Sequence, residues 1–261
     1  LWDHQPLTDF WQTGPGTVKR LAKLGIHTMG ELARASIYNE DMLFQEFGID
    51  AEIMIDHAWG LEPCGMAEIK AYKPSTNSLS EGQVLAEPYP YDKARIIVAE
   101  MADSLVFQLT DKNLVTDGLT LDVGYDRENC DKGSYRGPVH IDHYGRSVPK
   151  GAHGSTHLGN PSNLGSTIVT AAVELFDRIA NRSLTVRRIT MAANRVVQDE
   201  GVYQFDLFSD VEKQEKEKTL QKALLGIKKK YGKNAILKGT NFLDGATMRE
   251  RNKQIGGHKE S

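Results

Sequence analysis

The sequence predicts an α+β protein, with a small all-helical unit over residues 1–72, a sheet unit over 73–200 and a tail over 201–261. Three observations predict it. Residues 1–70 hold short apolar-periodic pieces broken by Gly25, Gly48, Gly60 and Gly65, and nothing there alternates as a strand does. From about Lys73 the pattern changes: Leu119, Leu121, Val123 and Tyr125 alternate with Thr120, Asp122, Gly124 and Asp126, the mark of a half-buried strand. Two longer stretches in the same region carry apolar residues at helical spacing. The implied order is β-α-β-β-α-β, a four-stranded sheet with two helices on one face and the other face open to a partner.

The elements follow in order. In Asp9–Ala33, Gly14, Pro15 and Gly16 stand between an apolar-aromatic turn and a short basic helix. Glycine lets a backbone approach a ligand closely, and a helix start offers unpaired N–H groups and a positive dipole end, which suit a phosphate. The layout resembles a helix-hairpin-helix, a grip on the DNA backbone. The same residues also read as a plain turn between packed helices. Val18, Leu21, Ala22 and Ile26 lie on one side, leaving Lys19, Arg20 and Lys23 on the other. Thr28–Ala33 and Ala51–Trp59 continue the helical unit, and the prolines of Glu62–Pro74 mark a linker.

Ser75–Leu85 reads as the first strand, Asp92–Thr110 as a helix and Gly154–Asn160 as a further strand. Residues 127–150, rich in Gly, Pro and His, make a long connection. Asn163–Asn181 reads as the second helix, and Leu184–Val197 closes the sheet with Arg187, Arg188 and Arg195. The tail reads as a charged helix over Val211–Tyr231, with Lys228–Lys230 on a solvated face, and a poorly ordered end at Gly239–Ser261.

Net charge is −3, and its distribution says more. Residues 1–72 carry 5 Lys/Arg against 11 Asp/Glu, residues 73–210 carry 14 against 18, and residues 211–261 carry 13 against 6. Contact with nucleic acid in the first two segments must therefore rest on local patches and backbone amides, not on a basic overall field. No apolar run reaches membrane-spanning length, so no membrane partner is expected. The first residues lack a signal-peptide pattern and read like the middle of a folded segment, so the sequence is expected to be a fragment. Cys64 and Cys130 stand far apart without metal-type spacing, which fits a reducing, cytoplasmic compartment.

Three stretches carry a wider resemblance: LTDFWQTGPGTVKRLAKLGIHTMGELA, FGIDAEIMIDHAWGLEP and KPSTNSLSEGQVL. With the KKKYGKNAIL and GATMRERNKQIGGHK tail, the chain resembles the C-terminal half of a Y-family translesion DNA polymerase of the bacterial UmuC/DinB/ImpB-MucB-SamB type, close to Gram-positive members. The resemblance implies a thumb at 1–72 (its first residues the end of the palm), a little finger at 73–200 and a tail at 201–261. It implies a primer-template duplex as partner, held through Gly14, Gly16, Thr17, Lys19 and Lys23 of the hairpin and through Ser75, Thr76, Asn77 and Ser78. Arg187 and Arg188 add charge near the duplex, or form a solvated rim.

In such enzymes palm carboxylates hold two metal ions, and those carboxylates lie N-terminal to the matched region. Mg²⁺ is therefore expected of the full-length polymerase, with no cofactor and no catalytic residue in this chain, which alone should incorporate no nucleotides. Ser36–Asp41 looks faintly like the acidic palm motif but reads as a loop. Gln204-Phe205-Asp206-Leu207-Phe208 resembles the peptide that docks bacterial polymerases on the sliding clamp, with Leu207 and Phe208 entering an apolar pocket and the Gln204 amide orienting them. The same side chains also read as a tether for the tail helix. His140, His143, His153 and His157, with Cys130 near in sequence, read as solvated or phosphate-facing rather than as a metal site. Two other readings remain open: a non-catalytic DNA-binding module of another repair factor, and an interaction protein whose hairpin only packs.

Overall fold

Short amphipathic helices build the first of two units, Leu1–Ser75 and Thr76–Ser261, in a computed structural model that describes residues 1–72, 78–131, 135–142, 144–201 and 211–254. A 3₁₀ turn (Leu7–Asp9) leads into α1 (Pro15–Lys23), followed by α2 (Met29–Tyr38), α3 (Glu40–Phe47), α4 (Asp50–Trp59) and α5 (Met66–Ala71). Gly25, at φ +75°, ends α1: the Ile26 N–H returns to the Leu21 carbonyl at 3.0 Å, and both side chains are buried. Thr28 and Glu31 then cap α2 reciprocally. Leu7, Leu21, Ile26, Leu32, Leu43 and Phe47 meet in one core.

Three sequence expectations change here. Ala22 is exposed, because Leu21 takes the centre of the buried face. Ser36–Asp41 is no loop: α2 runs through Tyr38 and α3 starts at Glu40, with Asn39 alone between them. The Glu62–Pro74 stretch contains α5, which buries none of its residues.

The second unit runs β1 (Leu79–Tyr89), α6 (Tyr91–Asp111), β2 (Leu114–Tyr125), α7 (Glu128–Asp131), β3 (Val139–Ile141), β4 (Ser147–Pro149), β5 (Ala152–Ser162), α8 (Gly165–Ile179), β6 (Val186–Asn194), β7 (Val197–Gln198), α9 (Val211–Tyr231) and α10 (Met248–Arg251). The fold is α+β. The antiparallel sheet has the order β1-β6-β2-β5, and β7 adds a fifth, two-residue strand beside β2. The long connection also holds the β3–β4 hairpin, which the sequence reading left unstructured.

Period-two alternation sends Leu119, Leu121 and Val123 of β2 and Ile189, Met191 and Ala193 of β6 to the helical side. There they meet Ile97, Met101 and Leu105 of α6 and Ile168, Leu175 and Phe176 of α8. A Cβ at Gly154 would stand 2.7 Å from Ile179 Cγ2, so glycine is what lets α8 lie close on β5.

The C-terminal segment is folded as far as Gln254, against the expectation of a poorly ordered end. It has few apolar residues, but it is held by polar ones. Glu100 of α6 is 1% exposed and accepts from the Thr247 and Met248 N–H groups at 2.7 and 2.9 Å and from Asn241 Nδ2 at 2.8 Å. One turn on, Asp103 pairs with Lys238 Nζ at 2.6 Å; burial pushes its carboxyl up, and the ammonium opposes that. Helix α9 supplies caps that α8 lacks: Glu217 accepts from the Ser166 N–H and hydroxyl, and Gln221 from the Gly165 N–H, each at 2.7 Å.

Replacing Glu100 with Ala leaves buried tail donors without an acceptor. It should cost about 1–3 kcal/mol in denaturant unfolding of the full chain and speed amide exchange at Thr247 and Met248. Unchanged exchange at those amides would show that the tail is held by something else.

Candidate nucleic-acid interface

At the start of α1, Gly14 is extended (φ −81°, ψ 170°) with no side-chain cap, and Pro15 occupies the first turn. Proline has no N–H to leave unpaired there. The next amides, of Gly16 and Thr17, have no acceptor among the described residues, and the Val18 N–H closes the turn on the Gly14 carbonyl at 3.0 Å. A Cβ added at Gly14 or Gly16 would meet nothing within 4 Å, and neither residue has positive φ. Nothing inside the protein therefore requires glycine at either position. The amino end of α1 presents unpaired backbone donors to open space at the positive end of a helix.

Lys19 and Lys23 are exposed one helical turn apart and make no ion pair among the described residues. Arg20 does: its Nε lies 2.8 Å from Glu46 Oε1 and its guanidinium 4.3 Å from the centre of the Phe47 ring. Thr17 is half-buried. Beside the turn, Trp11 is 77% exposed next to Gln12 at φ +62°. Sequence reasoning passed over Trp11, because an aromatic residue next to a predicted turn is ordinarily a core anchor.

In the second unit, among the described residues, the side of the sheet away from α6 and α8 is uncovered. Register places Ser80, Gly82 and Val84 of β1 opposite Ala192, Thr190 and Arg188 of β6. The last three face Thr120, Asp122 and Gly124 of β2. On β5, His153, Ser155 and His157 stand opposite Asp122, Thr120 and Gly118. The rows mix Ser80, Thr120, Thr190 and Ser155 with Gly82, Gly124 and Ala192, an exposed Val84, Arg188, Asp122 and two histidines, so the face offers several side-chain donors.

The two predicted arginines part company. Gly124 pairs with Arg188 and Tyr125 with Val186, so Arg187 is the extra residue of a β-bulge. It donates Nη1 to the Ala86 carbonyl at 2.9 Å and lies 3.7 Å from Asp126, engaged within the protein. Arg188 is exposed on the open face. Ser78 is exposed just before β1, whereas Ser75, Thr76 and Asn77 lie outside the described residues, as do Gln204, Leu207, Phe208 and His143.

Several partners were not read from the sequence. His153 Nδ1 lies 2.7 Å from Asp122 Oδ1, His157 Nε2 lies 3.8 Å from Asp117, and Arg195 Nε lies 2.6 Å from Asp117 Oδ1. The HGSTH alternation of β5 held the signal for the histidine row, but its partners depend on register. Lys228–Lys230 is not simply a solvated face. Lys228 is half-buried and donates to the Lys233 and Ile236 carbonyls at 2.9 and 2.8 Å, burial pushes its ammonium down, and Lys229 pairs with Asp111.

Among the described residues no three His, Cys, Asp or Glu side chains converge to hold a metal ion. No helix of the described residues is long and apolar enough to cross a membrane.

A family model described as the impB/mucB/samB family C-terminal domain matches residues 76–207, just over half of the chain. A putative UV-damage repair protein, UvrX, of Bacillus subtilis is 25% identical over 261 residues, 99% of this chain and 56% of the relative. A DNA polymerase IV 2 of Halalkalibacterium halodurans is 23% identical over the same shares, and a DNA polymerase IV of Bacillus velezensis 26% identical over 92% of this chain and 51% of its own. The chain thus spans about half the length of the curated relatives it matches.

Since no neighbour needs the missing side chain at Gly16, Gly16→Ala should stabilise the first unit by about 0.4–1 kcal/mol, chiefly by restricting the unfolded chain. Denaturant unfolding followed by tryptophan fluorescence reads this. A loss of stability would mean that the fold itself requires the glycine.

Proposed function

The chain belongs to the impB/mucB/samB family, and from that membership we propose that it is the part of a translesion DNA polymerase, acting in DNA repair in the bacterial cytoplasm, that grips primer-template duplex and docks on the sliding clamp. Relatives named DNA polymerase IV and a relative named for UV-damage repair support the polymerase setting. The observation that carries the grip is that the family match falls on the unit whose sheet leaves a flat polar face uncovered.

A polymerase must hold every sequence alike. Phosphate contacts position a protein on DNA without reading bases, so a face of hydroxyls, one arginine and backbone amides suits the task. In the first unit, a helix-hairpin-helix thumb, the Gly16 and Thr17 amides receive a backbone phosphate, and Lys19 and Lys23 flank it. In the second, a little finger, Arg188, Thr190, Ser78 and Ser80 meet phosphates, with Ser75, Thr76 and Asn77 just upstream, while Arg187 braces the bulge. Mg²⁺-dependent nucleotidyl transfer is the activity of the whole enzyme; this chain supplies the hold.

The salt dependence of duplex binding tests the grip. Fluorescence anisotropy with a labelled primer-template should give an affinity that falls steeply with salt. Lys19→Ala, Lys23→Ala and Arg188→Ala should each lower the slope of log K against log salt by about one, and Gly16→Ala should weaken binding at every salt concentration. Salt-independent binding, or unchanged slopes, would refute the grip.

For the clamp, Gln204 orients the peptide while Leu207 and Phe208 fill an apolar pocket on the partner. Leu207→Ala with Phe208→Ala should abolish binding to purified clamp in a calorimetric titration. Affinity retained by that double variant would leave these residues as a tail tether only.

A further inference from the structure

We propose that the outer row of β5, His153–Ser155–His157, forms a second line of phosphate contacts in which Asp122 of β2 positions the His153 imidazole and Asp117 lies near that of His157, an extension that rests on the duplex grip proposed above. Both rings stand on the uncovered side of the sheet, 66% and 61% exposed, and both are at an edge strand, where a ligand reaches them without crossing other rows. Asp122 engages Nδ1 of His153 at 2.7 Å, which fixes the ring and leaves Nε2 without a partner among the described residues. Asp117 lies on the Nε2 side of His157 at 3.8 Å and leaves Nδ1 in the same condition. A histidine whose Nδ1–H is held by a carboxylate presents Nε2 as an acceptor while neutral, and as a donor aimed at phosphate once the ring is protonated.

The spacing allows separate contacts. Side chains on one face of a strand repeat every two residues, roughly 7 Å, so the rings are roughly 14 Å apart with the Ser155 hydroxyl between them. Two rings at that separation reach different phosphates and do not compete for one.

Charge explains why imidazoles matter here. The groups facing them are Asp122 and Asp117 of β2, Arg188 of β6, Arg195 after it, and Arg178 of α8, which donates Nη2 to the Ser155 carbonyl at the strand's outer edge. On the open face, Arg188 and Arg195 only balance Asp122 and Asp117. With neutral imidazoles the rows therefore add no net attraction for a polyanion. Each protonated ring adds one positive charge beside a carboxylate that would otherwise repel phosphate. The grip of this face is therefore stronger with the rings protonated than with them neutral.

The full 261-residue chain is titrated with labelled primer-template duplex across a salt series at about pH 5.5 and at about pH 8. The slope of log K against log salt should be steeper at the acid pH by about two, and His153→Gln with His157→Gln should remove that difference while leaving binding at the alkaline pH. In a second measurement on the unaltered chain, bound duplex should protect His153 and His157 from diethyl pyrocarbonate, read by mass spectrometry. A pH difference that persists in the double variant, or equal labelling of both rings with and without duplex, would overturn the histidine row and leave the grip standing. Absence of salt-dependent duplex binding by the unaltered chain at either pH would take down the grip and the row with it.

Discussion

The second unit depends on a sheet that is covered on one side only. The pleat sends successive side chains of a strand to opposite faces, so β2 can give Leu119, Leu121 and Val123 to the helices only by giving Thr120, Asp122 and Gly124 to the other side. One helix from each β-α-β half, α6 and α8, fills the apolar side, and among the described residues no element returns to cover the other. The composition of the exposed rows answers to this. Large apolar groups there would make an aggregation surface, whereas Ser80, Gly82, Thr190, Ala192 and Ser155 keep the face flat and wettable. A covered face and a usable face are one constraint seen from its two sides.

Polar groups, not apolar ones, attach the tail to this core. Glu100 and Asp103 are buried acids within an otherwise apolar helix, and unpartnered they would be costly. Their partners come from about 140 residues further along the chain, on Lys238, Asn241, Thr247 and Met248. Helix α9 works likewise through Glu217 and Gln221, whose side chains end the orphan amides of α8. Hydrogen bonds of this kind demand fixed geometry, so they specify where the tail lies more sharply than a greasy contact would.

Features set by local periodicity were legible in the sequence. The α9 bounds, Val211–Tyr231, and the alternation of β2 were read directly, and the strand-helix order followed from them. Features set by distant pairing were not. The fold of residues 238–252 depends on Glu100, which in sequence looks like one more charge on a helix. Which of Arg187 and Arg188 reaches the open face depends on a bulge, where one extra residue against β2 undoes strict alternation. The Asp122–His153 contact depends on register across two strands, although each residue was visible alone. Site residues are harder to read than core residues for this reason: a core position repeats a period, while a site joins residues whose spacing in sequence carries no signal.

A chain of net charge −3 makes an unpromising polyanion binder if its field is treated as uniform. The described cations show how this is overcome. Arg20, Arg187 and Arg195 are spent within the protein on Glu46, Ala86 and Asp117, while Lys19, Lys23 and Arg188 remain turned to solvent. What matters near a phosphate is the local sum within about 10 Å, the screening length at moderate salt, not the total over the chain. The amino end of α1 adds partial positive charge that no residue count includes, and it does so where Gly14 and Gly16 leave the approach open. In the proposed grip, binding strength is therefore set by a few uncommitted cations and bare amides rather than by net charge.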